Sequence, residues 1–316
     1  MSRGSAVWLA GVLAVMAVAV AGCGSSSKVG TSSTTISAAF PVSVHGADSA
    51  TVIARAPRRI VSLSPTSTED LFAIGAGPQV VAVDDESDYP ANAPRTKLSG
   101  FQPNVEAIAG YRPDLVVISD ESPASLAPAL RKLDIPVLIN PAARSLSQAY
   151  SQIGQLGLAT GRDTQAGNLV KRMKSRIAAS VRSADGWGRG LGVYEEINQE
   201  YYAAASGTVA GQLFALFGLR DIANRAPDPQ GLGYPQLSAE YVVAANPDIV
   251  LLNDTVCCGQ SAASVARRPG WSQMTAVRSH TIVALNEDVA SRWGPRMPTL
   301  AAEIARAVTT AHAAGL

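Results

Sequence analysis

The sequence predicts an α/β protein of two lobes, each with a mostly parallel sheet flanked by helices, joined by a single long interlobe helix. One observation is a repeat, because Asn104–Ser119 and Ser238–Asn253 each contain a short amphipathic pattern, a Pro-Asp turn and a buried apolar run. The other is Asp163–Ala184, where apolar residues recur at helical spacing and form one stripe. A helix of about 22 residues spans roughly 33 Å, which is longer than a single lobe requires.

The two repeated stretches align without a gap. The matched pairs are Glu106 with Glu240, Pro113 with Pro247, Asp114 with Asp248 and Val116 with Val250. Coincidence is the alternative, because helix–turn–strand units are common in α/β proteins. The shared register of the glutamate, the turn and the strand favours a duplicated unit, one in each lobe.

The long predicted helix divides the chain. We place the first lobe at residues 40–162, the interlobe helix at 163–184 and the second lobe at 185–316. Gly161 is suited to end the preceding helix, and Thr160 with Asp163 resembles a capping box.

Residues 1–22 are typical of a lipoprotein signal peptide. Arg3 supplies the positive end, and Ala6–Val20 forms an apolar core of about 15 residues, which is short for a membrane span. The sequence Val20-Ala21-Gly22-Cys23 resembles a bacterial lipoprotein cleavage box, so Cys23 is the predicted lipid attachment site. The alternative is an ordinary export signal with an incidental cysteine. Residues 23–39 are rich in serine and threonine and predict a flexible tether at the outer face of the cell membrane.

The composition limits the size of the fold and the kind of partner. The chain has 316 residues, of which 47% are hydrophobic and 16% charged, and this suits one large or two medium domains. The formal net charge is +1, so the chain lacks the basic footprint of a nucleic-acid-binding protein.

The first lobe is predicted to alternate strands and helices after an initial hairpin at Phe40–Pro57. Its buried strands are expected at Ile60–Leu63, Val80–Val83, Leu115–Ile118 and Pro136–Ile139. The helix after the first of these is expected to be capped by Thr66 or Ser67 and to end at Gly75 or Gly77. Such alternation predicts a parallel sheet, whose ligands bind beyond the carboxyl ends of the strands. The loops at that edge begin at Ser64, Asp84, Asp120 and Asn140.

The second lobe follows the same scheme. Its strands are expected at Leu191–Ile197, Ile249–Leu252 and Thr281–Leu285. Helices are expected at Thr208–Gly218 and Pro298–Ala311, and Asn286–Arg296 is expected to be a loop.

Three stretches resemble one known family. Arg58–Asp84, the triplet Asp88-Tyr89-Pro90 and Asn104–Ile118 are similar to the substrate-binding proteins of ABC importers for metal chelates, which are vitamin B12, ferric siderophores and haem. The resemblance extends from about Pro41 to the C-terminus. It implies two α/β lobes joined by one rigid helix, and it implies a dimeric ABC permease with its ATPase as the partner.

The resemblance also implies where the ligand lies. Tyr89 is expected to line the cleft, although it could instead be a turn residue packed on its proline. The other implied ligand residues are Phe101, Tyr202 with Tyr201 as its neighbour, Asp288, Arg292 and Trp293. In the B12-binding members an aromatic pair follows the aspartate, whereas this chain has Val289-Ala290 there, so Trp293 is expected to supply the missing ring.

Glu106 and Glu240 match the two glutamates that dock on the permease in the resembling family. Each lies at the start of a predicted helix, where a carboxylate also favours the helix N-terminus, so a capping role is the alternative. A pair of like charges related by pseudo-symmetry suits a dimeric permease.

Two further features bear on chemistry. Adjacent Cys257 and Cys258 can form a vicinal disulfide, because the exterior is oxidising and Cys23 is consumed by lipid. The acidic run from Asp84 to Asp88 suggests either a cation site or a solvated loop, and we favour the loop because glycine-punctuated calcium spacing is missing.

The sequence excludes several function classes. Only His45, His280 and His312 are available for a bare transition metal, and they lie far apart in the sequence, so any metal is expected to arrive inside an organic chelate. We find no Gly-x-Ser-x-Gly elbow, Walker loop or His-Glu-x-x-His motif, and therefore expect no enzyme and no resident cofactor. The expected function is capture of a chelate, cobalamin first, then a ferric siderophore or haem. The alternative is an adhesive or signalling lipoprotein.

Overall fold

The computed structural model describes residues 40–316, so the predicted signal peptide, Cys23 and the tether lie outside the described residues. The described chain begins with an antiparallel hairpin of β1 (Val42–His45) and β2 (Ala50–Ile53), as predicted. Within residues 40–316, every helix is too short or too polar to cross a membrane.

The first lobe contains a five-stranded parallel sheet. In chain order its elements are β3 (Ile60–Leu63), α1 (Pro65–Ala73), β4 (Val80–Asp84), β5 (Arg95–Leu98), α2 (Val105–Gly110), β6 (Leu115–Ile118), α3 (Leu126–Arg131), β7 (Val137–Ile139) and α4 (Leu146–Thr160). The strands lie in the order β5-β4-β3-β6-β7. Every neighbouring pair is parallel, so all five carboxyl ends meet at one edge.

The interlobe helix α5 runs from Asp163 to Ser183 and packs between α4 and the last helix of the chain. Its buried residues follow the predicted stripe and are Ala166, Leu169, Met173 and Ile177. A Cβ atom at Gly157 of α4 would lie only 2.5 Å from that of Ala166, so α4 and α5 approach as closely as they do because residue 157 is glycine.

The second lobe contains a four-stranded parallel sheet. Its elements are β8 (Gly192–Glu196), α6 (Val209–Leu216), β9 (Arg220–Asp221), α7 (Ala239–Ala245), β10 (Ile249–Leu252), α8 (Ala262–Ala266), α9 (Thr275–Arg278), β11 (Ile282–Ala284), α10 (Glu287–Ser291) and α11 (Met297–Ala313). The order is β11-β10-β8-β9, with every pairing parallel. Short 3₁₀ helices lie at Gly77–Gln79, Ile222–Arg225 and Trp271–Gln273. The predicted two-lobed α/β class is therefore confirmed.

The predicted repeat is visible at the level of hydrogen bonds. Asp114 donates its N–H to the Arg59 carbonyl, and its carboxylate accepts from the N–H of Arg59 at 2.8 Å. Asp248 donates its N–H to the Gly192 carbonyl, and its carboxylate accepts from the N–H of Gly192 at 2.7 Å. Each Pro-Asp turn thus ties the start of its own strand to the start of the neighbouring strand.

The helix boundaries correct three expectations. The Thr160 hydroxyl bonds back to the Leu156 carbonyl, and α5 begins after Arg162 without a side-chain cap, so the capping box is wrong. Helix α1 is capped by Ser64, earlier than Thr66 or Ser67, because Pro65 is well suited to the first helical turn. It ends before Gly75, whose φ of 82° suits glycine.

The stretch Asn286–Arg296 is the third correction, because it contains helix α10 rather than only a loop. The Asn286 side chain caps this helix by accepting from the N–H of Val289. This one-and-a-half-turn helix places Asp288 and Arg292 on one face.

Candidate functional site

Two adjoining cavities lie where the carboxyl ends of the two sheets face each other. We name them the first-lobe cavity, of about 320 Å³, and the second-lobe cavity, of about 280 Å³. Both are lined by Glu121, Ser291, Arg292 and Trp293, so the cavities adjoin at these residues. Their position matches the ligand edge expected for parallel sheets.

The first-lobe cavity contains most of the predicted ligand residues. Phe101, Asp288, Arg292 and Trp293 all line it, together with loop residues that follow β3, β4, β5 and β6. Phe101 is 57% exposed, so its ring is available for contact with a ligand. These four residues are therefore brought together at one site.

Tyr89 and Tyr202 are not among the residues that line either cavity. Tyr89 is 47% exposed, and the Arg296 guanidinium lies 4.5 Å from the centre of its ring. Tyr202 forms a backbone bridge with Gln236, while the Tyr201 ring lies beside Trp271 in the core of the second lobe. Their assignment to ligand binding remains a prediction.

Arg292 connects the lobes through an ion-pair network. Its Nη1 lies 3.0 Å from Glu69 Oε1 and 2.9 Å from Asp88 Oδ1, both in the first lobe. Its Nη2 lies 2.7 Å from Asp288 Oδ1, one helical turn away. Arg296 adds a bidentate pair to Glu69, whose side chain is fully buried. Arg292 lines both cavities, but protein carboxylates already occupy its two terminal nitrogens.

Trp293 separates the two cavities. Its Nε1–H donates to Gln152 Oε1 of α4 at 3.0 Å, which fixes the ring while its faces border both spaces. A large ring with its polar atom already satisfied offers apolar contact at little cost in conformational entropy.

Carboxyl groups dominate the polar lining. Asp84 is 1% exposed, and burial raises its pKa to about 6. The expectation of a solvated acidic loop is therefore wrong for Asp84, because the side chain sits under Gly100 at the end of β4. Glu121 lines both cavities, and burial with the nearby Asp120 raises its pKa.

Glu195 is the polar group that sequence reasoning missed. It is 1% exposed, lines the second-lobe cavity, and neither of its oxygens has a hydrogen-bond partner among the described residues. Burial raises its pKa to about 8, with a smaller contribution from Asp221. The available signal was two adjacent glutamates inside the otherwise buried strand β8, since a polar residue in such a strand usually has a specific role.

Tyr234 was assigned only to a loop by the sequence, yet it also lines the second-lobe cavity. Tyr234 is 44% exposed overall, but desolvation of its phenol and the nearby carboxyls of Glu195 and Glu121 raise its pKa to about 12, so the phenol is a hydrogen-bond donor at neutral pH. Asn253, at the end of β10, contributes a buried carbonyl oxygen that lacks a partner within the described chain.

A second buried centre lies beside this cavity. Arg268 forms a bidentate pair with Glu196 at 2.6 Å, and burial with the nearby Glu196 raises the pKa of Asp254 to about 7. The sulfur atoms of Cys257 and Cys258, in the loop that follows, lie next to each other, and their joining in a vicinal disulfide remains a prediction. The Glu287 carboxylate, at the start of α10, accepts from the Cys257 N–H at 2.9 Å.

Glu106 and Glu240 lie at equivalent exposed positions. Each is in the first turn of a helix, α2 and α7, whose caps Asn104 and Ser238 accept from the third backbone N–H. Hydrogen bonds from its own backbone and from Ser238 lower the pKa of Glu240. The capping and docking roles are compatible, because an exposed carboxylate at a helix start remains free to meet a partner.

Direct metal ligation by the protein requires several ligand side chains at one point. Within residues 40–316, histidine, cysteine, aspartate and glutamate side chains form no group of three or more arranged to hold a metal ion.

Comparison with known proteins gives a consistent result. The sequence profile described as "Periplasmic binding protein" matches residues 60–289. The chain is 30% identical to the "Uncharacterized ABC transporter substrate-binding lipoprotein YvrC" of Bacillus subtilis, over 98% of each chain. It is 28% identical to a "Vitamin B12-binding protein" of Pectobacterium carotovorum, over 80% of this chain and 89% of that protein.

A solved structure agrees with these matches. The "Periplasmic heme-binding protein RhuT" of Roseiflexus sp. RS-1 in apo form superposes with a TM-score of 0.70 at 25% identity, covering 81% of this chain and 99% of that one. With the profile match over residues 60–289 and the full-length relative, the chain belongs to the periplasmic binding protein family.

Proposed function

We propose that this protein is an extracytoplasmic solute-binding lipoprotein that captures a metal chelate, cobalamin first, between its two lobes and delivers it to an ABC import permease. The observation that carries the proposal is the pair of adjoining cavities at the facing carboxyl ends of two parallel sheets. The first-lobe cavity, of about 320 Å³, lies within the range of small-molecule sites, and Phe101 and Trp293 supply apolar faces there.

We place cobalamin first among the candidate ligands because of the names that similar proteins carry. Two proteins similar over most of this chain are called vitamin B12-binding or cobalamin-binding. The alternatives within the family are a ferric siderophore and haem, and RhuT is a haem-binding protein. In each case the metal belongs to the cargo, and the protein needs no resident cofactor.

The ion-pair network supports capture with little movement of the lobes. Glu69 and Asp88 of the first lobe hold Arg292 of the second, and α5 packs along α4 and α11. A buried, bidentate pair is costly to break, so we expect the two lobes to keep nearly the same spacing with and without ligand.

Delivery rests on Glu106 and Glu240. Their equivalent, exposed positions place one negative charge on each lobe. A dimeric permease can meet such a pair with one subunit per lobe. Lipid attachment at Cys23 would keep the protein at the membrane, and we expect Cys23→Ala to remain soluble or uncleaved. Mature, membrane-attached protein carrying that alanine would contradict the anchor.

The test is calorimetric titration of purified protein with cyanocobalamin, haemin and a panel of ferric siderophores. We expect micromolar or tighter binding of at least one chelate, with a matching visible absorbance band in protein purified from its native host. Trp293→Phe should weaken that binding. Trp187→Phe is the matched control, because Trp187 stacks on His312 and does not line either cavity.

Absence of heat and of a thermal shift with every chelate would overturn capture. The adhesive or signalling alternative would then be the better account of the protein.

A further inference from the structure

The charge of the cavity lining is strongly one-sided. Among the described residues that line the two cavities, Arg292 is the single cation. The carboxyl side chains that line them are Asp84, Glu86, Glu121, Glu195, Glu287 and Asp288. Arg292 is already paired with Glu69, Asp88 and Asp288, so it offers little attraction to an anionic ligand.

Glu195 is a lining residue whose hydrogen-bonding capacity is unused within the described chain. Its side chain is buried at 1% exposure, and both carboxyl oxygens lack a partner within the described chain. Buried polar atoms are normally hydrogen-bonded, and leaving one unpaired is unfavourable. The cavity in front of Glu195 is where a partner can come from, since Ala142, Ala204 and Ala210 supply only apolar walls there.

The other polar side chains near Glu195 do not add a positive charge. Asp221 of β9 lies close enough to raise its pKa, Tyr234 faces it as a phenol, and Glu121 reaches the same cavity from the first lobe. A group entering the second-lobe cavity therefore meets carboxyl oxygens that accept hydrogen bonds and the Tyr234 phenol, which donates one, and it finds no unpaired cation among the described lining residues. Amide or ammonium N–H groups fit these surroundings, whereas a buried carboxylate would have no cation to offset its charge.

We propose that the second-lobe cavity is a specificity subsite in which Glu195 accepts a hydrogen bond from an N–H group of the chelate, so that the protein takes neutral or cationic chelates and rejects anionic ones. This inference rests on the proposed function. Within that function it favours an amide-fringed corrinoid or an amine-bearing hydroxamate siderophore. It disfavours haem, which carries propionates, and the anionic catecholate siderophores.

The test uses calorimetry at neutral pH with cyanocobalamin, ferrioxamine B, N-acetylated ferrioxamine B and haemin. For wild-type protein we expect cyanocobalamin or ferrioxamine B to bind at least about tenfold more tightly than haemin. If ferrioxamine B is the tighter, its N-acetylated form, which lacks the ammonium group, should bind more weakly. Unequal binding of those two forms identifies an ammonium donor, and preference for cyanocobalamin identifies an amide donor.

Two variants of Glu195 distinguish the effect of its hydrogen bond from the effect of its packing. Glu195→Leu removes the acceptor without adding a cation, so the preferred chelate should bind about tenfold more weakly while the affinity for haemin changes little. Glu195→Gln keeps a carbonyl acceptor, so binding of an amide-bearing chelate should change less than about threefold. Glu303→Leu is the control, because Glu303 lies on α11 and does not line either cavity. Thermal melting checks that each variant is folded.

The outcomes distinguish the subsite from the function. If haemin binds wild-type protein as tightly as the other chelates, or if Glu195→Leu leaves the ratio of affinities unchanged, the subsite is wrong and chelate capture stands. If none of the chelates binds, chelate capture fails and the subsite fails with it.

Discussion

The two lobes place the same residues at one end of their sheets and different residues at the other. At the amino ends, Asp114 and Asp248 make the same backbone bonds to Arg59 and Gly192. The helices before these turns also match, with Glu106 and Glu240 at the same helical position. At the carboxyl ends the register makes Ser62 of β3 the counterpart of Glu195 in β8, because both lie one residue before the last paired position.

The buried neighbours at this end differ accordingly. Ser62 is satisfied within its own lobe, since the Thr68 hydroxyl donates to it at 2.9 Å. Glu195 has no partner within the described chain. Leu63 ends β3 as an apolar residue, whereas its counterpart Glu196 holds Arg268.

The difference has a physical reason. The shared features have the same task in both lobes, because Asp114 and Asp248 close the Pro-Asp turns, and Glu106 and Glu240 each supply one exposed carboxylate. The carboxyl ends border the two cavities, and a ligand bound there has no reason to share the pseudo-symmetry of the lobes. We therefore expect changes at the shared positions to alter stability or docking, and changes at the carboxyl ends to alter binding.

The largest expected effect concerns Glu106 and Glu240. Replacing both with alanine should abolish chelate uptake by cells carrying the cognate importer while leaving chelate affinity within about twofold, because neither lines the first-lobe or the second-lobe cavity. Uptake of radiolabelled chelate and calorimetry measure the two quantities. Loss of binding in a folded double variant, or normal transport, would show that these positions do not dock.

Variants of Glu69 and Glu196 test whether the ion pairs between the lobes affect chelate binding, in contrast to the ion pair within the second lobe. Each is a buried carboxylate holding arginine, but Glu69 holds Arg292 and Arg296 across the lobes, whereas Glu196 holds Arg268 within one lobe. Either change to alanine should lower the free energy of unfolding by about 3–5 kcal/mol, because an arginine loses its buried partner. Only Glu69→Ala should also weaken chelate binding markedly, since it removes one of the three carboxylates that position Arg292 at the cavities.

Urea unfolding and calorimetry on the same samples decide this comparison. Equal loss of affinity in the two variants would mean that the interlobe pair has no special role.

Glu195 provides a test by pH. Its folded pKa of about 8 lies above the ordinary value of 4.5, so the folded chain retains a proton that the unfolded chain has lost. Stability from this group is therefore lost as the pH rises from about 4.5 to about 8. Glu195→Gln should remove that loss. The unfolding free energy of the variant relative to the wild type should therefore be higher at about pH 9 than at about pH 5, by on the order of 2–4 kcal/mol.

Urea unfolding at both pH values measures the gain. Ser62→Ala is the matched change in the first lobe and should leave the pH dependence as in the wild type, because Ser62 does not titrate. A Glu195→Gln protein with the wild-type slope would indicate that Glu195 is ionised when folded.

The smallest expected effect is a difference in stability between variants of the two Pro-Asp turns. Asp114 accepts from the N–H groups of both Arg58 and Arg59, whereas Asp248 accepts from Gly192 alone. Asp114→Ala should cost about 2–3 kcal/mol of unfolding free energy and Asp248→Ala about 1–2 kcal/mol, because bonds to a carboxylate are stronger than neutral ones. Equal losses in urea unfolding would argue against the difference in bond number.

The sequence by itself determined the elements that depend on neighbours along the chain. Apolar periodicity located α5 and the buried strands within a residue or two, because the 3.6-residue and two-residue periods are local properties. The gapless repeat placed Glu106 and Glu240 at matching helix starts. Family resemblance selected Phe101, Asp288, Arg292 and Trp293, all of which line the first-lobe cavity.

Only the tertiary structure decided which polar groups meet across the cleft. Arg292 lies 223 residues from Glu69 in the chain, and nothing in the local sequence of either residue indicates that pairing. Glu195 and Tyr234 became part of the site for the same reason, because a cavity is enclosed by loops from separate strands and both lobes. Burial then set the charge state of Glu195, since the pKa of a carboxyl depends on the solvent and charges around it and not on its place in the sequence.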